Sequence, residues 1–154
     1  PLGMCIKNGI IYGDYMTSYS VMAVKKDGTI YTPAQGLMGK NLLAAGVKDT
    51  YNFGPVLIKD GEAQLPWAET EKYYPRTAVG MVKPNDYVLL VTDTGRYNGL
   101  NHWDMVNIFK SYGCTYAYNL DGGGSATLYF NGKVMNKLIG NTQRPCADFL
   151  YFTR

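Results

Sequence analysis

The sequence predicts an α+β domain: a mixed, largely antiparallel twisted sheet with one main helix and a short second helix. Three observations predict it. Apolar runs recur around Asp27-Gly28, Asp60-Gly61 and Asn131-Gly132, and such pairs favour the positive φ angles of two-residue hairpin turns. Residues 101–112 carry a full set of helix start and stop signals. No internal repeat, low-complexity tract or linker divides the 154 residues, a length that suits one compact domain.

The elements follow in order. Residues 18–32, SYSVMAVKKDGTIYT, read as strand, tight turn and strand. Residues 36–47, GLMGKNLLAAGV, read as a short helix weakened by Gly39. Residues 53–64, FGPVLIKDGEAQ, give a strand and an Asp-Gly turn, and the polar, aromatic residues 67–75 a loop. Residues 76–82 and 86–93 read as two strands around a Lys-Pro-Asn turn. In the main helix Asn101 is the N-cap, Asp104 sits three residues later, and Gly113 supplies a left-handed end. Met105, Ile108, Phe109 and Tyr112 share one face at helical spacing. CTYAYNL, residues 114–120, is a strand; residues 125–136 form a hairpin; residues 146–154 form a closing strand. Residues 1–3, Pro-Leu-Gly, resemble a cleaved tag remnant, which leaves residues 4–154 as the single domain.

Composition narrows the function. The chain is 46% hydrophobic and 18% charged, so it forms a core rather than a disordered tail. Its net charge of +3 is mild and is not gathered in a Lys/Arg cluster, which argues against a nucleic-acid partner. No apolar run approaches the roughly 18 residues of a membrane span, and no signal peptide is visible. Cys5, Cys114 and Cys146 are odd in number and lack a CxxC, so they indicate neither a zinc site nor a disulfide framework. The 14 tyrosines suit carbohydrate and wet interfaces, and strands equally well.

The chemistry concentrates in NLDGGGSATL, residues 119–128. Three glycines stand between two strands, where a flexible linker would have polar flanks. That position suits positive φ and close approach of backbone to a ligand. No helix follows, as a Rossmann fingerprint would require, and neither a P-loop nor a GxSxG elbow is present. Asp121 therefore ends one strand, and Asp93 ends another after YVLLVT. Two strand-end carboxylates are the minimum equipment for cleaving a glycosidic bond. Arg76, Arg96 and Arg144 add guanidinium groups suited to phosphate. His102, the single histidine, is an acid/base candidate or an exposed first-turn residue. Asp93 and Asp121 with backbone carbonyls offer oxygen ligands for Ca²⁺ or Mg²⁺, though no dense carboxylate cluster demands a metal.

These segments resemble the phosphodiester glycosidase family. NLDGGGSATLYFNGKVMN, PRTAVGM, VLLVTDTGR and FGPVLIKDG are similar to its motifs in order and spacing, from about residue 53 onward. The resemblance implies a sheet domain that hydrolyses a glycosidic bond to a phosphodiester. It places Arg76, Asp93, Arg96, Asn119, Asp121, Gly122, Gly123, Gly124, Ser125 and Arg144 on motif positions. On this reading Asp121, Asp93 and Arg76 form the catalytic set. Arg144 holds phosphate with Arg76, the glycine loop seats the sugar-phosphate, and Thr77 and Asn136 support the site, with His102 a substrate-binding candidate by its own chemistry. Two departures stand out: the family's DGR is DTGR here, and its upstream NGGFF-like segment is only loosely echoed by KNGIIYGDY, which implies a minimal version with Asn8-Gly9 and Tyr12 in that role, a fragment, or an incomplete catalytic set. Compact versions resemble modules of phage tail and cell-surface proteins. That setting implies an extracellular, cell-surface or virion location and a teichoic-acid-like or nucleotide-sugar-like substrate. A non-catalytic carbohydrate- or phosphate-binding module is the alternative, and a structural surface domain a third.

Overall fold

The structure, a computed structural model, describes residues 3–15, 17–64, 72–93 and 98–152. Its strands are β1 (Cys5–Lys7), β2 (Ile10–Gly13), β3 (Ser20–Lys25), β4 (Ile30–Tyr31), β5 (Val47–Phe53), β6 (Val56–Lys59), β7 (Glu62–Ala63), β8 (Thr77–Lys83), β9 (Asp86–Val91), β10 (Tyr116–Leu120), β11 (Tyr129–Phe130) and β12 (Lys133–Val134). The helices are α1 (Gly39–Ala44) and α2 (His102–Ser111). A five-stranded sheet runs in the order β7-β6-β10-β8-β9, and a three-stranded sheet in the order β4-β3-β5. β1-β2 and β11-β12 form two-stranded ribbons. The ladders among the described residues are antiparallel, in keeping with an α+β fold.

Period-two alternation sorts each central strand between two cores. On one face of the large sheet, Ala78, Ala117 and Ile58 pack against Met105, Val106 and Phe109 of α2. On the other, Val79, Met81, Tyr116 and Tyr118 pack against Met22 and Ile30 of the small sheet. The far side of the small sheet, Val21 and Ala23, packs on Met4, Ile6 and Leu42 from the first ribbon and α1. Burying one such large apolar side chain contributes about 1.5–3 kcal/mol. The chain thus builds helix, sheet, sheet, and a thin layer of ribbon and short helix.

Helix α2 is fixed at its start by a capping box. The Asn101 side chain accepts from the Asp104 N–H at 2.8 Å, and the Asp104 carboxylate accepts from the Asn101 N–H at 3.4 Å. Its buried face is His102, Met105, Val106 and Phe109. Tyr112, expected on that face, is 62% exposed, because it is the C-cap residue, where the helix ends. Tyr118 ties the two sheets together. Its hydroxyl donates to the Ser20 carbonyl at 2.6 Å and accepts from the Phe53 N–H at 2.8 Å.

Several expectations are corrected. Residues 146–152 form no strand; the segment makes no ladder, and mainly Leu150 packs into a core. The β1-β2 ribbon, turning at Asn8-Gly9, and most of β5 were not expected. Residues 123–125 form a 3-10 turn, so the expected hairpin shrinks to β11-β12. Of the loop expected at residues 67–75, residues 67–71 lie outside the described residues. Cys5, Cys114 and Cys146 are free thiols.

Two outcomes follow. A Cβ at Gly80 would lie 2.5 Å from Phe109 Cδ1 and 2.7 Å from Cys114 Sγ. Gly80→Ala will therefore cost about 1–3 kcal/mol, as overpacking of cores does, read as a lowered urea midpoint. Burial raises the Tyr118 phenol above its ordinary 10.0. A raised folded value means full stability below the unfolded phenol's pKa and loss as pH rises through the folded one. Urea midpoints will fall above pH 10, and Tyr118→Phe will flatten that fall while lowering stability at pH 8.

Candidate active site

Antiparallel pairing brings three chain segments to one edge of the large sheet. Leu120, the last residue of β10, lies beside Thr77, the first of β8, and Thr77 lies beside Val91, the last of β9. Asp121, Arg76 and Asp93 flank those three strand ends. The edge is stitched by backbone: the Arg76 N–H donates to Thr92 Oγ1 at 3.0 Å, and the Thr92 N–H to the Arg76 carbonyl at 2.9 Å.

Two glycines of the triplet each have their own reason. A Cβ on Gly122 would stand 2.4 Å from the Pro75 carbonyl oxygen, so only glycine passes there. Gly123 has φ of 58°, the left-handed region glycine enters without penalty, and its N–H donates to that same Pro75 oxygen at 2.8 Å. Gly124 packs beside the Arg144 side chain, where a Cβ would meet Cδ at 3.4 Å, an ordinary contact that does not demand glycine. The turn closes through Ser125 N–H to Gly122 carbonyl at 3.0 Å and Ala126 N–H to Gly123 carbonyl at 3.1 Å.

This turn surrounds the Asp121 carboxylate with donors. Oδ1 accepts from the Gly122 N–H at 2.8 Å, and Oδ2 from the Ser125 hydroxyl at 2.7 Å. Arg144 Nη2 stands 3.3 Å from Oδ2. Both side chains remain solvent-accessible, Asp121 at 46% and Arg144 at 59%. The carboxylate is thus oriented by neighbouring donors and still open to solvent, and the arginine beside it keeps donors available for an anion.

The other expected residues divide. Asn136 clamps the exit of the turn, accepting from the Leu128 N–H at 2.7 Å and donating to the Ala126 carbonyl at 2.8 Å. Asp93 Oδ2 accepts from the neighbouring Lys137 N–H at 2.9 Å, so that carboxylate holds backbone beside the turn. Arg76 Nε donates to the Leu100 carbonyl at 3.2 Å and Nη2 to the Lys72 carbonyl at 3.0 Å, with the Tyr74 ring 5.3 Å away. Burial pulls its pKa down and Tyr74 pushes it back up; an arginine so placed still stays charged. Asn119 is buried and donates to the Gly54 carbonyl at 2.7 Å, which fixes the strand end from the helix side of the sheet. Thr77 Oγ1 is buried without a hydrogen bond among the described residues. His102 is 5% exposed, so the exposed first-turn reading is corrected; its ring belongs to the buried face of α2. Arg96 lies outside the described residues. The Asn8-Gly9 turn bonds to Asp49 and Lys48, at the start of β5 rather than at the glycine turn. Pro75 and Thr92 were missed as site residues, because a backbone carbonyl and a strand-end hydroxyl leave no mark in a motif. Among the described residues no three His, Cys, Asp or Glu side chains are grouped as for a metal, and no helix is long and apolar enough to cross a membrane.

The sequence profile of the phosphodiester glycosidase family matches residues 1–153. The chain is 31% identical over 160 residues to the SPbeta prophage-derived uncharacterized protein YomE of Bacillus subtilis, covering 97% of this chain and 25% of that one. It is 28% identical over 156 residues to N-acetylglucosamine-1-phosphodiester alpha-N-acetylglucosaminidase of Mus musculus, covering 84% of this chain and 29% of that one. The chain thus spans between a quarter and a third of the length of these relatives. The solved catalytic domain of the zebrafish enzyme of that name, auto-inhibited by its pro-peptide, superposes with a TM-score of 0.72 at 23% identity, over 90% of this chain and 51% of that one; this likeness is one of fold. By the match across nearly its whole length, the chain belongs to the phosphodiester glycosidase family.

Proposed function

We propose that the chain hydrolyses the glycosidic bond of a sugar-1-phosphodiester, with Asp121 as the reacting carboxylate. The observation that carries this is Asp121 itself: a solvent-accessible carboxylate at a strand end, oriented by the Gly122 N–H and the Ser125 hydroxyl and paired with Arg144. Membership of the family supports the reaction class.

The chemistry balances simply. Water adds to the anomeric carbon, the bond from that carbon to the phosphate oxygen breaks, and a free sugar and a phosphate monoester leave. A departing monoester is stabilised by its own charge, its second pKa being about 6, so leaving-group protonation is the smaller need. The larger needs are a base or nucleophile at carbon and positive charge at phosphate. Asp121 supplies the first. Arg144 supplies the second by turning from Asp121 Oδ2 to the phosphate, and the remaining donors of Arg76 add to it. Asp93 and Asn136 act as positioning residues that hold residues 126–137 against the turn. Nucleotide sugars present the required linkage, as do teichoic-acid-like polymers whose repeat joins a sugar's anomeric carbon to phosphate.

One observation favours the binding-module reading: both strand-end carboxylates are already held by donors, Asp93 by the Lys137 N–H and Asp121 by the Gly122 N–H, the Ser125 hydroxyl and Arg144. Turnover decides between the two. Incubated with UDP-N-acetylglucosamine and other sugar-1-phosphodiesters, the wild type will release free sugar, read by mass spectrometry. Asp121→Asn will lower the rate by at least about 100-fold, the usual scale for a positioned acid or base. Full activity in Asp121→Asn would remove Asp121 from the mechanism, and binding without turnover across the panel would establish the module.

A further inference from the structure

A cavity of ≈ 550 Å³ lies between the two sheets, within the size range of small-molecule sites. Its walls come from β1, β3, β4 and β5 on one side and from β8 and β9 on the other, and residues 147–152 cross it. Asp121, Ser125, Arg144, Arg76 and Asp93 are not among its lining residues. Four lysines line it, Lys7, Lys25, Lys26 and Lys48, against two carboxylates, Asp49 and Asp148. The lining therefore carries two positive charges in excess, of the +3 on the whole chain. Tyr51, Tyr87, Tyr151 and Phe152 add ring faces.

Lys7 is the informative residue. A lysine ordinarily buries its stem and keeps its ammonium in water. Lys7 reverses this: the side chain is 27% exposed overall, yet Nζ is buried and makes no hydrogen bond of good geometry. The ammonium sits 3.5 Å from the centroid of the Tyr51 ring and 2.9 Å from Asp148 Oδ2. A buried ammonium needs an anion. Here the anion comes from a residue that is 53% exposed, on a segment without ladder bonds. That segment is held mainly by Leu150 and by the packing of Phe152 on Tyr87, with ring centroids 5.2 Å apart.

We propose that this cavity binds a small phosphate ester carrying a sugar or base ring, its phosphate taking the place of the Asp148 carboxylate on Lys7. The ring then stacks on the aromatic wall of Tyr87, Tyr151 and Phe152, and Lys25 and Lys26 complete the charge. Asp148 is the resident anion with which the ligand competes. The site is separate from the glycine turn and does not depend on hydrolysis there.

Titration calorimetry at low salt tests this with uridine 5′-monophosphate, glucose 6-phosphate and inorganic phosphate. Neither ester contains a sugar-1-phosphodiester, so the outcome is independent of turnover at Asp121. At least one ester will bind more tightly than inorganic phosphate; preference for the uridine ester identifies a base ring, and for the glucose ester a sugar ring. Asp148→Asn will tighten binding roughly threefold or more, the scale of removing one partly exposed charge partner. Asp60→Asn, which removes the same charge at an exposed turn outside the cavity, will change it by less than about half that. The double variant Lys25→Gln, Lys26→Gln will weaken it, and Asp121→Asn will leave it unchanged. The proposal is overturned if neither ester binds the wild type or Asp148→Asn, if Asp148→Asn and Asp60→Asn act alike, or if Asp121→Asn abolishes binding.

Discussion

The site rests on one close approach, the Pro75 carbonyl oxygen against Gly122 and Gly123. That oxygen accepts the Gly123 N–H at 2.8 Å and occupies the place where a Cβ of residue 122 would be. It joins the entry of β8 to the exit of β10 outside the regular ladder. It anchors the turn after Leu120 to the entry of β8, while the bonds of Ser125 and Ala126 back to Gly122 and Gly123 close the turn that brings the Gly122 N–H and Ser125 hydroxyl onto Asp121. The constraint is steric on one side and a hydrogen bond on the other, so it specifies both where the turn goes and which residue type can make it. The Asn136 clamp and the Asp93 contact to Lys137 then hold the returning chain.

The arrangement separates support from chemistry. Tyr118, Asn119 and the packed faces of the large sheet fix the position of β10 from both sides. Asp121 follows that strand by one residue, where the backbone leaves the sheet and solvent begins. A rigid strand end carrying an exposed polar group is how folds combine precise geometry with access. Arg144 approaches from a late irregular segment and contacts Asp121 through one nitrogen, leaving most of its guanidinium donors for an anion.

Much of this was legible in the sequence, for reasons that differ residue by residue. The triple glycine between two apolar runs announced a sharp turn because only glycine passes Pro75 at 122 and glycine enters the φ of 123 without penalty. Asn101, Asp104 and Gly113 announced α2 because capping is local. The β1-β2 ribbon escaped notice although Asn8 and Gly9 both have positive φ, at 50° and 77°. Its strands are three and four residues long, too short for alternation to register, and the pair was read as a motif echo. The closing strand expected at residues 146–154 failed in the opposite way. Its aromatic residues favour strands, but strand propensity expresses itself only where a neighbouring strand offers an edge. Asp93 was read correctly as a strand-end carboxylate, while its bond to the Lys137 backbone depends on a contact 44 residues away, which no local pattern encodes.

The measurement that tests the central claim most directly is a crystal structure of Asp121→Asn soaked with UDP-N-acetylglucosamine. The account predicts the sugar's anomeric carbon about 3–3.5 Å from the side chain of residue 121, the spacing of a near-attack arrangement, with the adjoining phosphate on Arg144. A ligand bound only elsewhere, with the glycine turn intact and empty, would contradict it.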